Sequence, residues 1–212
     1  LENESVWLHM EYKYLLEMLR GGLPQEFFED FRHCAIPFLD PQVYGRSTTE
    51  NSSFLVSDVY PDRRQVGKGF MARLSGATAE FIHMWICMCA GERPFRTGKS
   101  GALEAVLQPT LPSWLFTSEA RRMDLAGPDG KPVSYEVPRC SFAFVFLSHT
   151  VVIYTQDGPC RNTFGPAGAA IRSMRVTFND GRVEEFRGAV IPAPHAEALR
   201  NRQVRLIEAR LG

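Results

Sequence analysis

The chain has 212 residues, 44% apolar and 23% charged, with Lys+Arg and Asp+Glu balanced at 24 each. At roughly 100 to 200 residues per domain this allows one large domain or two small ones with apolar mass for a core, and the composition excludes an intrinsically disordered regulator. Zero formal net charge argues against nucleic acid as a partner, because neutralising a phosphate backbone takes a basic excess; the 20 Arg and 4 Lys are spread without a run.

From Ser5 to Arg20, Val6, Trp7, Met10, Leu15, Met18 and Leu19 recur at three- and four-residue steps, between the acidic Glu2 and Glu4 and the pair Gly21-Gly22. This predicts a helix. A second helix is predicted over Pro24 to Ile36, with Phe27, Phe28, Phe31, Cys34 and Ala35 on one side and Pro37 as its stop. Joined by a Gly-Gly-Leu turn, the two form an αα-hairpin. Residues 37–73 have no sustained period, but Phe38, Leu39, Tyr44, Phe54, Leu55, Val56, Tyr60 and Phe70 are too many apolar side chains for a solvated tail. An ordered loop covering a site is expected.

Phe81 to Ala90 is apolar on every side and predicts a buried helix closed by Gly91. Beyond it the pattern turns to short strands: Leu103 to Leu107, Val133 to Val137, Phe142 to Leu147, Val151 to Thr155, Ile171 to Phe178 and Arg182 to Arg187, with a hairpin at Asn179-Asp180-Gly181. His195 to Asn201 reads as a short helix, and Gln203 to Leu211 as a final strand or its continuation. The chain thus reads as α+β, with a helical part over 1–95 and a β-rich part over 96–212.

The apolar run Phe81 to Gly91 is far shorter than the roughly 17 to 25 residues of a membrane helix, and the start, Leu1-Glu2-Asn3-Glu4, has neither an initiator Met nor a signal-peptide pattern. No membrane partner is expected, the expected location is cytoplasmic, and the start looks like the middle of a longer chain. Five cysteines, Cys34, Cys87, Cys89, Cys140 and Cys160, lack C-x-x-C spacing, which speaks against a disulfide framework and a zinc site. His33, His83, His149 and His195 have no partner at metal-ligand spacing, so no metal and no cofactor is expected.

Arg73-Leu74-Ser75-Gly76-Ala77-Thr78 is the sharpest local feature. Ser75 is a good N-cap type, and small residues behind it leave the first backbone N–H groups of the helix open to an anion such as phosphate, with Arg73 as a fork-shaped partner. The plainer reading is that Ser75 caps its own helix. His9, inside Val6-Trp7-Leu8-His9-Met10, is either a core histidine or a ligand. Glu50 and Asp58 in the long loop are candidate acids or bases, and Glu80 falls one turn inside the helix. Neither Walker nor Rossmann glycine spacing, nor a G-x-S-x-G elbow, is present.

An αα-hairpin with His in its first helix, a long loop, the Leu-Ser-Gly-Ala-Thr helix start, an apolar helix, then Leu107-Gln108-Pro109-Thr110-Leu111-Pro112-Ser113-Trp114 and a β-rich tail together resemble the C-terminal end of glycoside hydrolase family 94, the cellobiose and chitobiose phosphorylases. The resemblance covers most of residues 1–155 in arrangement and these short motifs in identity. It implies the last helices of an (α/α)6 toroid followed by an antiparallel β-sheet domain, and an inverting phosphorolysis of a β-glucosidic bond with inorganic phosphate as co-substrate. It places phosphate on Ser75 and Gly76, makes His9 a phosphate ligand, and sets a phosphate-assisting loop position near Ser57, where the family has Gln. Its general acid is an Asp upstream of Leu1, so the chain is expected to be a piece of a larger enzyme, inactive alone. The implied partners are an oligosaccharide, phosphate, the remainder of the parent polypeptide and, as a homo-oligomer, a second copy. The rivals are a hydrolase on the same barrel, with Glu50 or Asp58 as base, and a non-catalytic carbohydrate-binding module using Trp114, Phe116 and Tyr154.

Overall fold

The helix signals at the start of the chain become an αα-hairpin in the computed structural model, which describes residues 4–72, 76–126 and 131–212. Helix α1 spans Leu8–Arg20 and α2 spans Pro24–Cys34. Leu8, Tyr12, Leu15 and Leu16 on α1 are buried, as are Phe27, Phe28, Phe31 and Cys34 on α2, so each helix presents one apolar stripe. The turn between them closes as a Schellman motif: Gly22 takes φ 74° and the Leu23 N–H donates to the Met18 carbonyl at 2.9 Å, satisfying an end carbonyl that would otherwise lack a partner. Tyr12 then ties the two helices together. Its hydroxyl donates to the Cys34 carbonyl at 3.3 Å and accepts from the Ile36 N–H at 3.2 Å. Burial pushes this phenol and the Cys34 thiol well above their ordinary pKa ranges.

The first helix begins later than its periodicity predicts. Ser5–Trp7 is a strand, β1, paired antiparallel with β2 (Ser52–Val56), which pairs in turn with β3 (Gly69–Ala72). A strand partner arriving from some 50 residues downstream, with Trp7 edge-on to Phe54 at 5.2 Å between centroids, outweighs a local helical pattern of three residues. Residues 37–72 accordingly contain two strands and a four-residue helix, α3 (Pro41–Tyr44), and Arg73 lies outside the described residues. Asp40 caps α3 by accepting from the Gln42 N–H at 2.9 Å, Pro41 opens it, and Gly45 closes it at φ 73°. Tyr44 is buried and its hydroxyl donates to the Glu50 carbonyl at 2.7 Å. Its ring lies over Gly69, where a Cβ would collide with it.

Helix α4 (Gly76–Ala90) is less buried than its composition predicts. Ala77, Met84, Met88, Cys89 and Ala90 are buried, but Ile82 and Ile86 are 54% and 39% exposed. Uniform apolarity leaves no pattern from which to choose the outward side.

The chain divides into two units, Leu1–Cys87 and Met88–Gly212, the division falling within α4. In the second unit β4 (Phe95–Thr97) and β5 (Leu103–Val106) form a hairpin, followed by β6 (Arg121–Ala126) and β7 (Pro132–Val137) as a second. Then come β8 (Ser141–Phe146), β9 (Thr150–Gln156), β10 (Ile171–Phe178), β11 (Val183–Arg187), β12 (Val190–Ile191), α5 (His195–Arg200) and β13 (Val204–Leu211). The main sheet has the order β11-β10-β13-β9-β8. All its pairings are antiparallel except β13 with β9. The six predicted strands are present, and the Asn179-Asp180-Gly181 hairpin joins β10 to β11. The ambiguous last segment is strand, because Arg202 takes φ 58° and the Gln203 N–H donates to the Ala198 carbonyl at 2.9 Å, ending α5. Strands β4, β6 and β12 went unpredicted: β4 and β12 are short, and β6 is charged at Arg121, Arg122 and Asp124.

One face of this sheet is core: Phe142, Phe144, Val152, Tyr154, Met174, Val176, Ile207 and Ala209 are buried. Tyr154 donates its hydroxyl to the Cys89 carbonyl at 2.7 Å. On the other face Val151 and Ile153 pack with Val137, Met123, Leu125 and Tyr135 of the β6–β7 hairpin. The cysteine arithmetic is corrected at one pair, since Cys140 and Cys160 form a disulfide with Cα atoms 5.5 Å apart. The intervening β8–β9 hairpin brings together two positions, 20 apart in sequence, whose spacing carries no signal. Cys34, Cys87 and Cys89 are buried thiols.

Replacing Tyr12 by Phe leaves the buried Ile36 N–H without its acceptor and is expected to cost about 1–3 kcal/mol in denaturant unfolding. Glu11 beside it has its carboxyl pKa raised, first by burial and then by the Asp30 charge. The folded state therefore binds this proton more tightly than the unfolded state, and stability falls as pH rises from the ordinary carboxylate range through the raised value. Glu11→Gln should be more stable than the parent at pH 7, with the difference shrinking as pH drops below that range, as read by thermal unfolding across pH.

Candidate functional site

His9 is the second residue of α1 and its ring lies against the backbone of Gly76, the first residue of α4. A Cβ at Gly76 would collide with Cε1, Nε2 and Nδ1 of that ring, so only glycine permits the contact. One turn along α4, the Glu80 carboxylate stands 3.8 Å from His9 Nε2. Gly76 and Glu80 share a helix face at i, i+4. The imidazole, its side chain 42% exposed, thus sits between a helix's first residue and a carboxylate. The helix start supplies partial positive charge, and the imidazole supplies a donor, or a cation when protonated.

The same two helices line a cavity of about 330 Å3. Tyr12, one turn on from His9, joins Ile36 and Phe81 as its apolar wall, while Thr49, Asn51 and Thr78 supply hydroxyl and amide groups. Asn51 Nδ2 donates to Thr78 Oγ1 at 2.8 Å, fixing the amide orientation. Among the described residues no Asp, Glu, Lys, Arg or His lines this cavity. Apolar rings beside uncharged donors and acceptors, in a space of this size, suit a small neutral polyhydroxylated ligand better than an ionic one.

The structure thus brings His9 and Gly76 together. Arg73 and Ser75 lie outside the described residues. Ser57, just beyond β2, is engaged elsewhere: its Oγ and backbone N–H donate to the Glu4 carbonyl at 2.8 and 3.2 Å. Glu50 forms an ion pair with Arg46 at 3.3 Å and is half exposed, and Asp58 is an exposed residue whose carbonyl accepts from Arg63 at 2.7 Å. Of the aromatics offered for a binding module, Phe116 and Tyr154 are core, and Trp114 is 39% exposed. Sequence reasoning placed Glu80 on α4 without joining it to His9, and it missed Tyr12, Thr49, Asn51 and Thr78. The one available signal was the run of small polar residues from Ser47 to Ser53, which sets Thr49 and Asn51 in an otherwise apolar neighbourhood. Among the described residues no group of three or more His, Cys, Asp or Glu is placed to hold a metal ion, and no helix is long and apolar enough to cross a membrane.

Gly→Ala in a helix ordinarily adds about 0.5–1 kcal/mol of stability. At Gly76 the collision with His9 reverses that sign. Gly76→Ala is expected to cost about 1–3 kcal/mol and to move the His9 ring resonances, whereas Ala at 76 in a His9→Ala background should recover part of the loss. No protein-family model and no curated protein matches this sequence.

Proposed function

We propose that the chain is the C-terminal part of a carbohydrate-active enzyme, an inverting glycoside phosphorylase that cleaves a β-glucosidic bond of a disaccharide or short β-glucan with inorganic phosphate. The observation that carries this reading is the seat of the His9 ring on Gly76 at the start of α4, with Glu80 beside it. This is an anion-binding arrangement built from two helices that are distant in sequence. In the proposal α1, α2 and α4 are terminal helices of an (α/α)6 toroid, and the second unit is its appended β domain.

In mechanism, phosphate lies at the start of α4, where the helix dipole favours negative charge. His9 donates to a phosphate oxygen, and Gly76 permits the close approach. Glu80 orients the ring through Nε2. Ser75, which the family resemblance assigns to phosphate, and Arg73, read from the sequence as a fork-shaped partner, are proposed to complete the cradle. The neutral cavity beside it holds a sugar ring on Tyr12 and Phe81, with Asn51 and the threonines facing hydroxyl groups. Fixing phosphate and sugar together converts a bimolecular attack into a positioned one. Phosphate attacks the anomeric carbon as the glycosidic bond breaks. The leaving oxygen is protonated by the aspartate general acid that the resemblance places upstream of Leu1.

The test is calorimetric titration of inorganic phosphate into the intact parent enzyme and its Ser75→Ala and His9→Ala variants, with product analysis. Affinity should fall about tenfold or more in each variant, the usual cost of a charge-assisted hydrogen bond. A sugar 1-phosphate should form only when phosphate is present. Unchanged affinity in both variants sinks the site assignment, and free sugar released at equal rate without phosphate points to the hydrolase.

A further inference from the structure

In the second unit, the main-sheet face covered by the β6–β7 hairpin over β8 and β9 is open over β10, β11 and β13, where a groove of about 540 Å3 runs. Register fixes two rows across it. In the first, Arg175 of β10 stands between Glu185 of β11 and Glu208 of β13, 3.6 Å from the latter. Opposite charges in adjacent cross-strand positions satisfy one another, so Arg175 is countered and the row, with two carboxylates to one guanidinium, is net negative. In the second, Ser173 of β10 stands between Arg187 of β11 and Arg210 of β13. The two arginines are about 10 Å apart across two strand spacings, within a Debye length at physiological salt, and they flank a hydroxyl. Among the described residues Arg210 has one counter-ion, Asp157 at 3.3 Å, but both partners are mostly exposed, and such a pair holds weakly. Among the described residues no carboxylate comes within ion-pair distance of Arg187; the nearest on its own strand and face is Glu185, two residues back and opposite Arg175.

We infer that this second row is a binding site for a phosphate monoester, held by Arg187 and Arg210 with Ser173 between them. Two guanidinium forks and a hydroxyl offer donors from three sides, which matches a tetrahedral dianion; a carboxylate occupies one fork only. The groove, at about 540 Å3, exceeds the volume of a phosphoryl group and leaves room for the esterified part of the ligand. Glu185 and Glu208 hold Arg175 away and set the site's far boundary, beyond which an anion is repelled. The inference is independent of the phosphate seat at His9 and Gly76.

The test uses the full chain carrying His9→Ala, which silences the helix-start seat, and titrates methyl phosphate and, separately, acetate at constant ionic strength, followed by calorimetry and by arginine Nε–Hε NMR signals. Methyl phosphate should bind saturably, with acetate about tenfold weaker or more, and the Arg187 and Arg210 signals should shift together. Adding Arg187→Gln should weaken methyl phosphate about tenfold or more, and adding Ser173→Ala should weaken it severalfold. Both positions lie on the open face, and circular dichroism verifies the fold. Equal affinity for acetate, unchanged affinity in either folded variant, or loss of all binding on His9→Ala alone overturns the inference. The last result leaves the helix-start seat intact, whereas binding that survives His9→Ala and vanishes with Arg187→Gln supports this site whatever becomes of the other.

Discussion

The phenol of Tyr12 is the point on which the first unit depends. Its hydroxyl satisfies the Cys34 carbonyl and the Ile36 N–H, fixing the end of α2 to the middle of α1. Its ring lies 6.0 Å from that of Phe81 on α4 and forms part of the cavity wall. A buried side chain that meets both backbone demands and also offers an aromatic face couples helix packing to cavity shape. A change that loosens the hairpin therefore also reshapes the space in which the proposed sugar lies.

His9 and Gly76 illustrate the same economy at smaller scale. A glycine at a helix start reads as permissive backbone, but here it is a steric condition met by a side chain 67 positions earlier in the sequence. Glu80 makes the contact directional, since its carboxylate faces the Nε2 side of the ring. The Arg187–Ser173–Arg210 row in the second unit is built differently, from cross-strand register on an open sheet, and needs no buried group.

Local patterns carried much of the architecture. The stripe of Phe27, Phe28, Phe31 and Cys34 marked α2 to within two residues, and Asn179-Asp180-Gly181 marked its hairpin, because amphipathic period and turn chemistry are encoded within a few neighbouring residues. What went unread was set by distant partners. Ser5–Trp7 is strand only because Ser52–Val56 returns beside it, and Cys140 meets Cys160 only once β9 has turned back. At the site, His9 and Gly76 were each singled out by local context, one as a histidine in an apolar run and the other behind a good cap. Their mutual contact, the nearby carboxylate of Glu80 and the cavity polar groups of Asn51 and Thr78 belong to tertiary structure.

The placement of β13 has a consequence for how the second unit forms. This strand lies between β9 and β10 and pairs parallel with β9, and the buried Thr150 hydroxyl at the start of β9 donates to the Val204 carbonyl across 54 positions. The hairpins β8–β9 and β10–β11 can each form early from local contacts, but neither has a neighbour until the later strand inserts between them. Closing that long loop is an entropic cost met late. During synthesis the two hairpins therefore wait with open edges for Val204–Leu211, and the rate of sheet completion is governed by the arrival of one eight-residue segment.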